Sequence, residues 1–500
     1  MNFAKTSFFI TILLVLAHLL AFLKESIIAN YFGVSLYVDA YNIAIQIPVI
    51  LFSFVAVAIK SVVIPLYSDI FYNKGEKEAS HFADSFLTLN VFVALALLLV
   101  VEIFGGLVIK LFAPGFNQET HDIAVTLLRI TMPTVVFTVF TDIVTGVLNV
   151  RKKLVLPCLG VYFLQLSIII CIVFLHSKYG VTAACFGQII GSFLQMLYLC
   201  LIASKVYRYK PSFDFKAPEV KKAIKMSWPV IWGMSIVEIN AMINKMVGSF
   251  MIIGSISALS YAGKINTVFM TLCVQAISII VYPLYSESSA KNDMVQLNRR
   301  VNTTLSVYTA MLLPVMFGVF CLRKEVIEVA FARGVFDHDA VMITKSVLGF
   351  YTIGMLFGAF RETLTKVYYS MKDTKTVAKN ATLCVGVNVG LHLTLPWFMG
   401  VQGIALAASL SLMFSSMRLL WLLKKKHEAI KLDYFFTNMK GIGLSSILMF
   451  IVVMFVECRF GYINSIYLLI SCGVGGALLY LGLLLAFKTP VVKDIKNLIK

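Results

Sequence analysis

Long apolar runs recur along the whole chain, and this feature most limits what the chain can fold into. A helix needs about 20 apolar residues to cross the hydrocarbon core of a bilayer, whereas a β-barrel would show short segments of alternating polarity. Hydrophobic residues make up 59% of the sequence and charged residues only 14%, against about a quarter charged in soluble chains. The sequence therefore predicts an all-α polytopic membrane protein.

The apolar runs predict about fourteen spans, at 7–23, 40–71, 85–109, 122–149, 154–176, 181–204, 227–250, 257–287, 302–322, 340–369, 377–398, 401–423, 439–457 and 463–487. No small-residue cleavage site follows the first run, so we expect a retained helix rather than a signal peptide. Lysine and arginine cluster in alternate loops, which predicts a bacterial cytoplasmic-membrane protein with both termini in the cytoplasm. These short loops account for the net charge of +18, and we expect no nucleic-acid partner.

The chain contains an internal repeat. The segment IPLYSD at 64–69 is echoed by YPLYSE at 282–287, an offset of 218 residues between Pro65 and Pro283. Six spans return the chain to the side from which it entered, so the repeats are predicted to be parallel six-helix bundles related by an axis along the membrane normal.

The repeat divides the sequence into predicted domains. These are an N-lobe at 1–205, a basic cytoplasmic linker at 206–226, a C-lobe at 227–426, and a C-terminal part at 427–500 with two further spans. Two parallel bundles indicate transport by alternating access, with a substrate site between the bundles near the midplane.

Charges inside or beside the spans are candidates for that site, because burial in a membrane is costly unless a partner or a cavity receives the charge. The cations predominate and suit an anionic substrate such as a phosphate or pyrophosphate. The candidate substrate-binding residues are His18, Lys24, Glu25, Asp39, Lys60, Lys264 and Arg361. The alternatives are snorkelling for the lysines, a helix N-cap for Asp39 and a structural hydrogen bond for His18.

A second group of polar residues lies within the seventh and eleventh spans: Glu238 and Asn240 in the middle of the seventh, and Asn380 and Asn388 in the eleventh. One hypothesis is a coupling site for a monovalent cation or a proton. The other is plain hydrogen bonding between helices.

Nothing in the sequence indicates catalysis. There is no P-loop, no GxSxG and no metal-ligand spacing, and the nine cysteines form no CxxC pair. We therefore expect a transporter without cofactor or metal, driven by an ion gradient, the membrane potential or the substrate gradient.

Two segments resemble the MurJ/MviN lipid II flippase family of the MATE-like superfamily. The first is KESIIANYFGVSLYVDAYNIAIQIP at 24–48. The second is FARGVFD at 331–337 with Tyr351, Arg361, Lys366, Tyr369 and DTKT at 373–376. The resemblance implies a flippase that moves lipid-linked peptidoglycan precursor from the inner to the outer leaflet through a central cationic cavity, with the last two helices forming a groove for the polyprenyl tail.

The resemblance also implies residue roles. Lys24 stands in place of a family arginine, Glu25 of an aspartate and His18 of another arginine, while Asp39 is kept and Lys264 takes the place of an arginine in the second half. We expect a monomer that binds an anionic lipid-linked saccharide and membrane lipids.

The chain departs from the family after Pro48, where the family has an arginine-rich segment. Here the segment 49–53 reads VILFS and contains no cation. A flippase for another polyprenyl-linked saccharide, such as an O-antigen or capsule unit, is therefore the first alternative. A MATE-type drug or ion antiporter is a less favoured alternative, because such a protein is expected to have an acidic cavity, whereas cations predominate here. A non-transporting scaffold is the last alternative, and it would leave the buried charges without a purpose.

Overall fold

The structure of the protein, a computed structural model, describes residues 3–493. Within them, side chains are described except at 3–8, 54–55, 57–58, 60–61, 229–241, 275–276 and 279. Every regular element of residues 3–493 is a helix: nineteen α-helices and two π-helical turns. The predicted all-α fold is confirmed.

The first compact unit ends at Ser257. Its helices are α1 (Phe3–Phe32), α2 (Leu36–Ala58), α3 (Ile64–Asn73), α4 (Glu76–Phe112), α5 (Gln118–Thr131), α6 (Thr134–Val150), α7 (Val155–Tyr179), α8 (Thr182–Ala203) and α9 (Pro218–Ser249), with a π-helical turn, Ile59–Val63, between α2 and α3. Buried residues follow α2 at Ala40, Ile43, Ala44 and Ile47, which is the spacing of one helix face. That face packs α2 into the interior of the unit, against α5 and α9.

The second compact unit begins at Ala258, within the first turn of α10. Its helices are α10 (Ser255–Met270), α11 (Ala276–Ala290), α12 (Met294–Cys321), α13 (Arg323–Phe331), α14 (His338–Ser370), α15 (Thr374–His392), α16 (Leu395–Met399), α17 (Val401–Lys426), α18 (Asp433–Phe460) and α19 (Ser465–Ala486), with a π-helical turn, Thr271–Gln275, after α10. The two extra C-terminal helices pack on this unit. The buried Tyr480 hydroxyl of α19 donates to the carbonyl of Ala310 at 2.8 Å.

The repeat is visible in the helix boundaries. α2, its π-helical turn and α3 have counterparts in α10, the second π-helical turn and α11. Phe104 bends α4, with φ −107° and ψ 20°, and the chain breaks at Leu322, 218 residues later, between α12 and α13. The offset found in a short motif therefore relates whole helices, including the position of a kink.

Each six-helix repeat ends in a segment that returns to its own third span. The Tyr207 hydroxyl and the backbone N–H of Lys210 donate to Asp84 of α4, at 2.6 and 3.2 Å. Asn302 of α12 stands 218 residues after Asp84; it accepts from the backbone N–H of Phe435 at 3.1 Å and donates to the Lys431 carbonyl at 2.8 Å. Part of the predicted linker is thus hydrogen-bonded to the bundle that precedes it.

Among the described residues, fewer helices than the predicted fourteen meet the length and composition expected of a membrane span. In the described residues, eleven helices are long and apolar enough to cross a membrane, or twelve if the bent pair α5 and α6, at 42°, counts as one span. The predicted spans at 227–250 and 257–287 are not among them. The second is divided by its π-helical turn into helices of 16 and 15 residues. Fourteen spans therefore stays a prediction.

The compact units divide between Ser257 and Ala258, whereas the sequence predicts lobes that divide in the basic segment 206–226. α9 packs against α2 and α4. The Lys245 ammonium of α9 donates to the carbonyl of Asn42 at 2.8 Å and to Gln46 Oε1 at 3.2 Å. These contacts explain why α9 belongs to the first compact unit. The division into an N-lobe and a C-lobe that move during transport stays a prediction.

Candidate functional site

Asp39 lies near the start of α2 and is buried, with 4% of its surface exposed. Its carboxylate accepts from the backbone N–H groups of Gly254 and Ser257, each at 2.7 Å, and from the Ser257 hydroxyl. These donors lie at the start of α10, where backbone N–H groups have no partner within the helix. A carboxylate there caps the helix and opposes the positive end of its dipole. Asp39 therefore caps α10 rather than its own helix.

Gly254 is required by this arrangement. Its φ of +90° lies in a region that glycine adopts freely and other residues rarely do. A Cβ atom at this position would also collide with the Val34 side chain. A larger residue would displace the N–H group that Asp39 binds.

Lys24 and Glu25 form a buried ion pair in α1, with 2.9 Å between Nζ and Oε1 and side-chain exposures of 8% and 6%. Moving two charges out of water costs several kcal/mol each, and good geometry is needed to offset that cost. The pair is neutral as a unit. α1 therefore brings less positive charge to its surroundings than Lys24 alone would, and the role of the pair in substrate binding stays a prediction.

The other predicted substrate-binding residues differ in their surroundings. His18 is half-buried, and its Nδ1 hydrogen-bonds the Leu14 carbonyl, one turn earlier in α1, at 2.7 Å. Lys264 is half-buried on α10, and Arg361 is exposed on α14. Lys60 lies in the π-helical turn after α2, and its side chain is outside the described residues. The hydrogen bond of His18 agrees with the structural alternative for that residue.

Asn380, one of the predicted ion-coupling residues, is buried between α15 and α17. Its amide donates to the Ser415 hydroxyl at 2.8 Å, and its Oδ1 accepts from the Arg418 guanidinium at 2.9 Å. A guanidinium at this distance disfavours a second cation on the same oxygen. The geometry of Asn380 is that of an interhelical hydrogen bond.

Asn388 differs from Asn380, because its Oδ1 is buried and has no hydrogen-bond partner among the described residues. Its backbone carbonyl is hydrogen-bonded by His392 Nδ1 at 2.8 Å. A buried oxygen without a partner is able to bind a donor or a cation. The side chains of Glu238 and Asn240 are outside the described residues, so the predicted set of four is described only in part.

The second unit contains a polar cluster that is not among the predicted site residues. Glu362 accepts from Ser278 and from the Lys366 ammonium, each at 2.9 Å. The Tyr308 hydroxyl lies 3.1 Å from Ser278 Oγ and donates to the Val274 carbonyl at 3.0 Å. That carbonyl belongs to the π-helical turn, whose widened geometry changes the backbone hydrogen bonding. The sequence signal for the cluster is an acid and a lysine four residues apart inside a span.

The first unit encloses a cavity of about 420 Å³ between α2, α5, α6 and α8. Pro48 and residues of the cation-free segment 49–53 contribute to its lining. The polar side chains that line it include Thr131, Thr134, Thr138, Asp142, Gln188 and Gln195. Polar residues spaced three and four apart on α6 and α8 were the available sequence signal.

An apolar pocket of about 400 Å³ lies along α18 and α19, with Val456, Phe460, Ile463, Tyr467 and Ile470 among its lining residues. The tail groove that the resemblance implies for these two helices stays a prediction. A pocket with this lining offers apolar contacts and few hydrogen bonds, which suits a hydrocarbon chain. The side chains that the structure describes include no cluster of three or more metal-ligating groups.

The chain matches a family model described as lipid II flippase MurJ over residues 28–473. It is 25% identical over 503 residues to a probable lipid II flippase MurJ of Rickettsia prowazekii, covering 99% of both chains. It is 29% identical over 425 residues to the lipid II flippase MurJ of Thermosipho africanus, covering 85% of this chain and 86% of that one.

The solved structures agree with the sequence comparison. A lipid II flippase MurJ in an inward closed conformation superposes with a TM-score of 0.83 at 27% identity, covering 97% of this chain and all of that one (100%). An inward-facing multidrug resistance MATE transporter of the MOP superfamily superposes with a TM-score of 0.67 at 12% identity over 82% of this chain, which shows the shared fold alone. The chain belongs to the lipid II flippase MurJ family.

Proposed function

We propose that this protein moves lipid II, the undecaprenyl-pyrophosphate-linked peptidoglycan precursor, from the inner to the outer leaflet of the cytoplasmic membrane by alternating access. The observation that carries the proposal is the match to the MurJ family over residues 28–473. Family members named lipid II flippases are transporters rather than enzymes. The apolar helices and the family make the chain a multi-pass protein of the inner membrane.

The buried charges support a transport role. The Lys24–Glu25 pair is costly to bury, and a bundle without a transport role would not need it. We place both termini in the cytoplasm, from the distribution of lysine and arginine in the loops. A monomer coupled to a monovalent cation or a proton completes the proposal, with the free oxygen of Asn388 as the coupling atom.

The test is replacement of the host's lipid II flippase. A bacterium depleted of its own flippase is expected to keep synthesising cell wall when this chain is expressed. Lys264→Ala is expected to abolish the rescue at unchanged membrane expression, and Lys110→Ala, at an exposed position near the end of α4, serves as the matched control. If the wild-type chain is well expressed in the membrane and does not restore cell-wall synthesis, lipid II is ruled out as its substrate.

One observation favours a second cargo. The segment 49–53 contains no cation and contributes to a cavity whose described lining has no lysine, arginine or histidine. If this chain instead transports an O-antigen or capsule unit, its expression is expected to rescue a strain that lacks the flippase for that unit. Rescue of both strains would indicate recognition of the polyprenyl pyrophosphate rather than of the saccharide.

A further inference from the structure

We propose that the cavity of the first unit is a subsite for an uncharged sugar ring, and this inference rests on the proposed function. The cavity volume of about 420 Å³ lies in the range of about 300–1,000 Å³ that holds small organic ligands. It is far larger than a dehydrated ion requires. Its size therefore suits a ring with its substituents.

Four of the hydroxyl groups that line the cavity already donate their proton to a backbone carbonyl. Thr131 donates to carbonyls of its own helix, Thr134 to the Thr131 carbonyl at 2.7 Å, and Thr138 to the Thr134 carbonyl at 2.9 Å. Ser53 likewise donates to the Ile50 carbonyl at 2.8 Å. Each hydroxyl has one proton and two lone pairs, so these side chains can only accept from a ligand. The surface they form matches the hydroxyl donors of a sugar.

Pro48 helps to build this wall of the cavity. A proline inside a helix removes the N–H that would bind the carbonyl four residues earlier, here that of Ala44. Thr131 Oγ1 approaches this carbonyl at 3.3 Å and so partly replaces the missing donor. The contact fixes α2 against the end of α5, where the row of threonines begins.

Residues of α8 supply donors to the same cavity. Gln188 and Gln195 lie seven residues apart on α8, on one helix face, and both are half-buried in the lining. Their amide groups can donate as well as accept. Asp142 also lines the cavity, and its carboxylate oxygens are able to accept hydroxyl protons. The described lining holds no cationic side chain, so its chemistry fits a neutral sugar and not the pyrophosphate.

Two lipids distinguish this subsite from the rest of the substrate site: lipid II, and undecaprenyl pyrophosphate, which has no sugar. Binding of each to the purified full-length protein is measured by native mass spectrometry. Gln188→Leu with Gln195→Leu is expected to weaken lipid II binding about tenfold and to leave undecaprenyl pyrophosphate binding unchanged. Thr138→Val, a nearly isosteric change on α6, is expected to act in the same direction with a smaller effect.

Gln165→Leu is the control. Gln165 lies on α7 of the same unit and is not part of the lining, so its loss is expected to change neither affinity. Equal weakening of both lipids by the glutamine variants, or no weakening of either, overturns the sugar subsite while leaving the flippase intact. A wild-type protein that binds neither lipid overturns the proposed function, and this inference with it.

Discussion

Asp39 accepts hydrogen bonds from Ser257, the residue that stands 218 positions later in the chain. The same offset relates the two halves of the sequence, so equivalent positions of the repeat are in direct contact. The contact is asymmetric, because one repeat supplies a carboxylate and the other a hydroxyl with its backbone N–H.

Asp39→Asn is expected to lower the free energy of unfolding by about 1–3 kcal/mol, because charge-assisted bonds to a helix N-terminus are replaced by weaker neutral ones. Thermal unfolding in detergent measures the change. Ser257→Ala removes one hydroxyl and keeps the backbone donors, so its effect is expected to be smaller.

Asp122→Asn provides the control for Asp39→Asn. Asp122 has a side chain that is 63% exposed, and its replacement is expected to change stability little. An Asp39→Asn protein as stable as the Asp122→Asn protein would show that the cap of α10 is energetically unimportant.

The fold could be predicted from the sequence to a large extent, because span length and loop charge are local properties. The cap that Asp39 forms could not, since it depends on the path of the chain around Gly254. The cavity was missed for another reason. Threonines such as Thr134 and Thr138 look ordinary in an apolar helix, and only the packing of α6 with α2 and α8 makes them part of the lining of one cavity.

The buried pair Lys24 and Glu25 predicts a non-additive double mutant. Lys24→Met leaves Glu25 buried without this partner, a change that costs about 3–5 kcal/mol when one member of a buried ion pair is removed. Lys24→Met combined with Glu25→Gln removes both charges and is expected to recover most of the lost stability. Thermal unfolding of the two single variants and the double variant measures the coupling.

Lys110→Met, at an exposed position, controls for the added methionine. Equal unfolding temperatures of the Lys24→Met single variant and the double variant would contradict the expected compensation. In that case other contacts of Glu25 would suffice to hold its charge.

The segment after α8 is expected to loosen in Tyr207→Phe. Burial raises the pKa of the Tyr207 hydroxyl, so it remains a proton donor to Asp84 at neutral pH. Without this bond, trypsin is expected to cleave the segment, at Lys205 or Arg208, about tenfold faster, because local opening exposes the chain.

Tyr198→Phe is the matched control for this proteolysis experiment. The Tyr198 hydroxyl donates to the Leu156 carbonyl at 3.3 Å, away from the segment. Unchanged cleavage in Tyr207→Phe would mean that the remaining contacts, such as Lys210 N–H to Asp84, hold the segment without the hydroxyl.

Asp373 makes stability depend on pH. Hydrogen bonds from Lys426 Nζ at 2.6 Å and from the Thr376 hydroxyl at 2.7 Å lower the pKa of its carboxyl group to about 2, below the value of about 3.9 expected in the unfolded chain. The unfolded chain therefore binds the proton more readily. The stabilisation is complete above pH of about 4 and is lost as the pH falls toward 2.

Asp373→Asn should therefore lower the unfolding temperature most at neutral pH, and the gap to the wild type should narrow as the pH is taken from 7 to 3. When Lys426 is replaced by Met, the difference in unfolding temperature between Asp373 and Asn at that position is expected to be smaller already at pH 7. The reason is that the Lys426 ammonium is the main cause of the lowered pKa of Asp373. A gap that stays constant or widens with acid would contradict the assignment. The carboxylate would then act at the start of α15 through its bond to the Thr376 N–H, which an asparagine side chain can also accept.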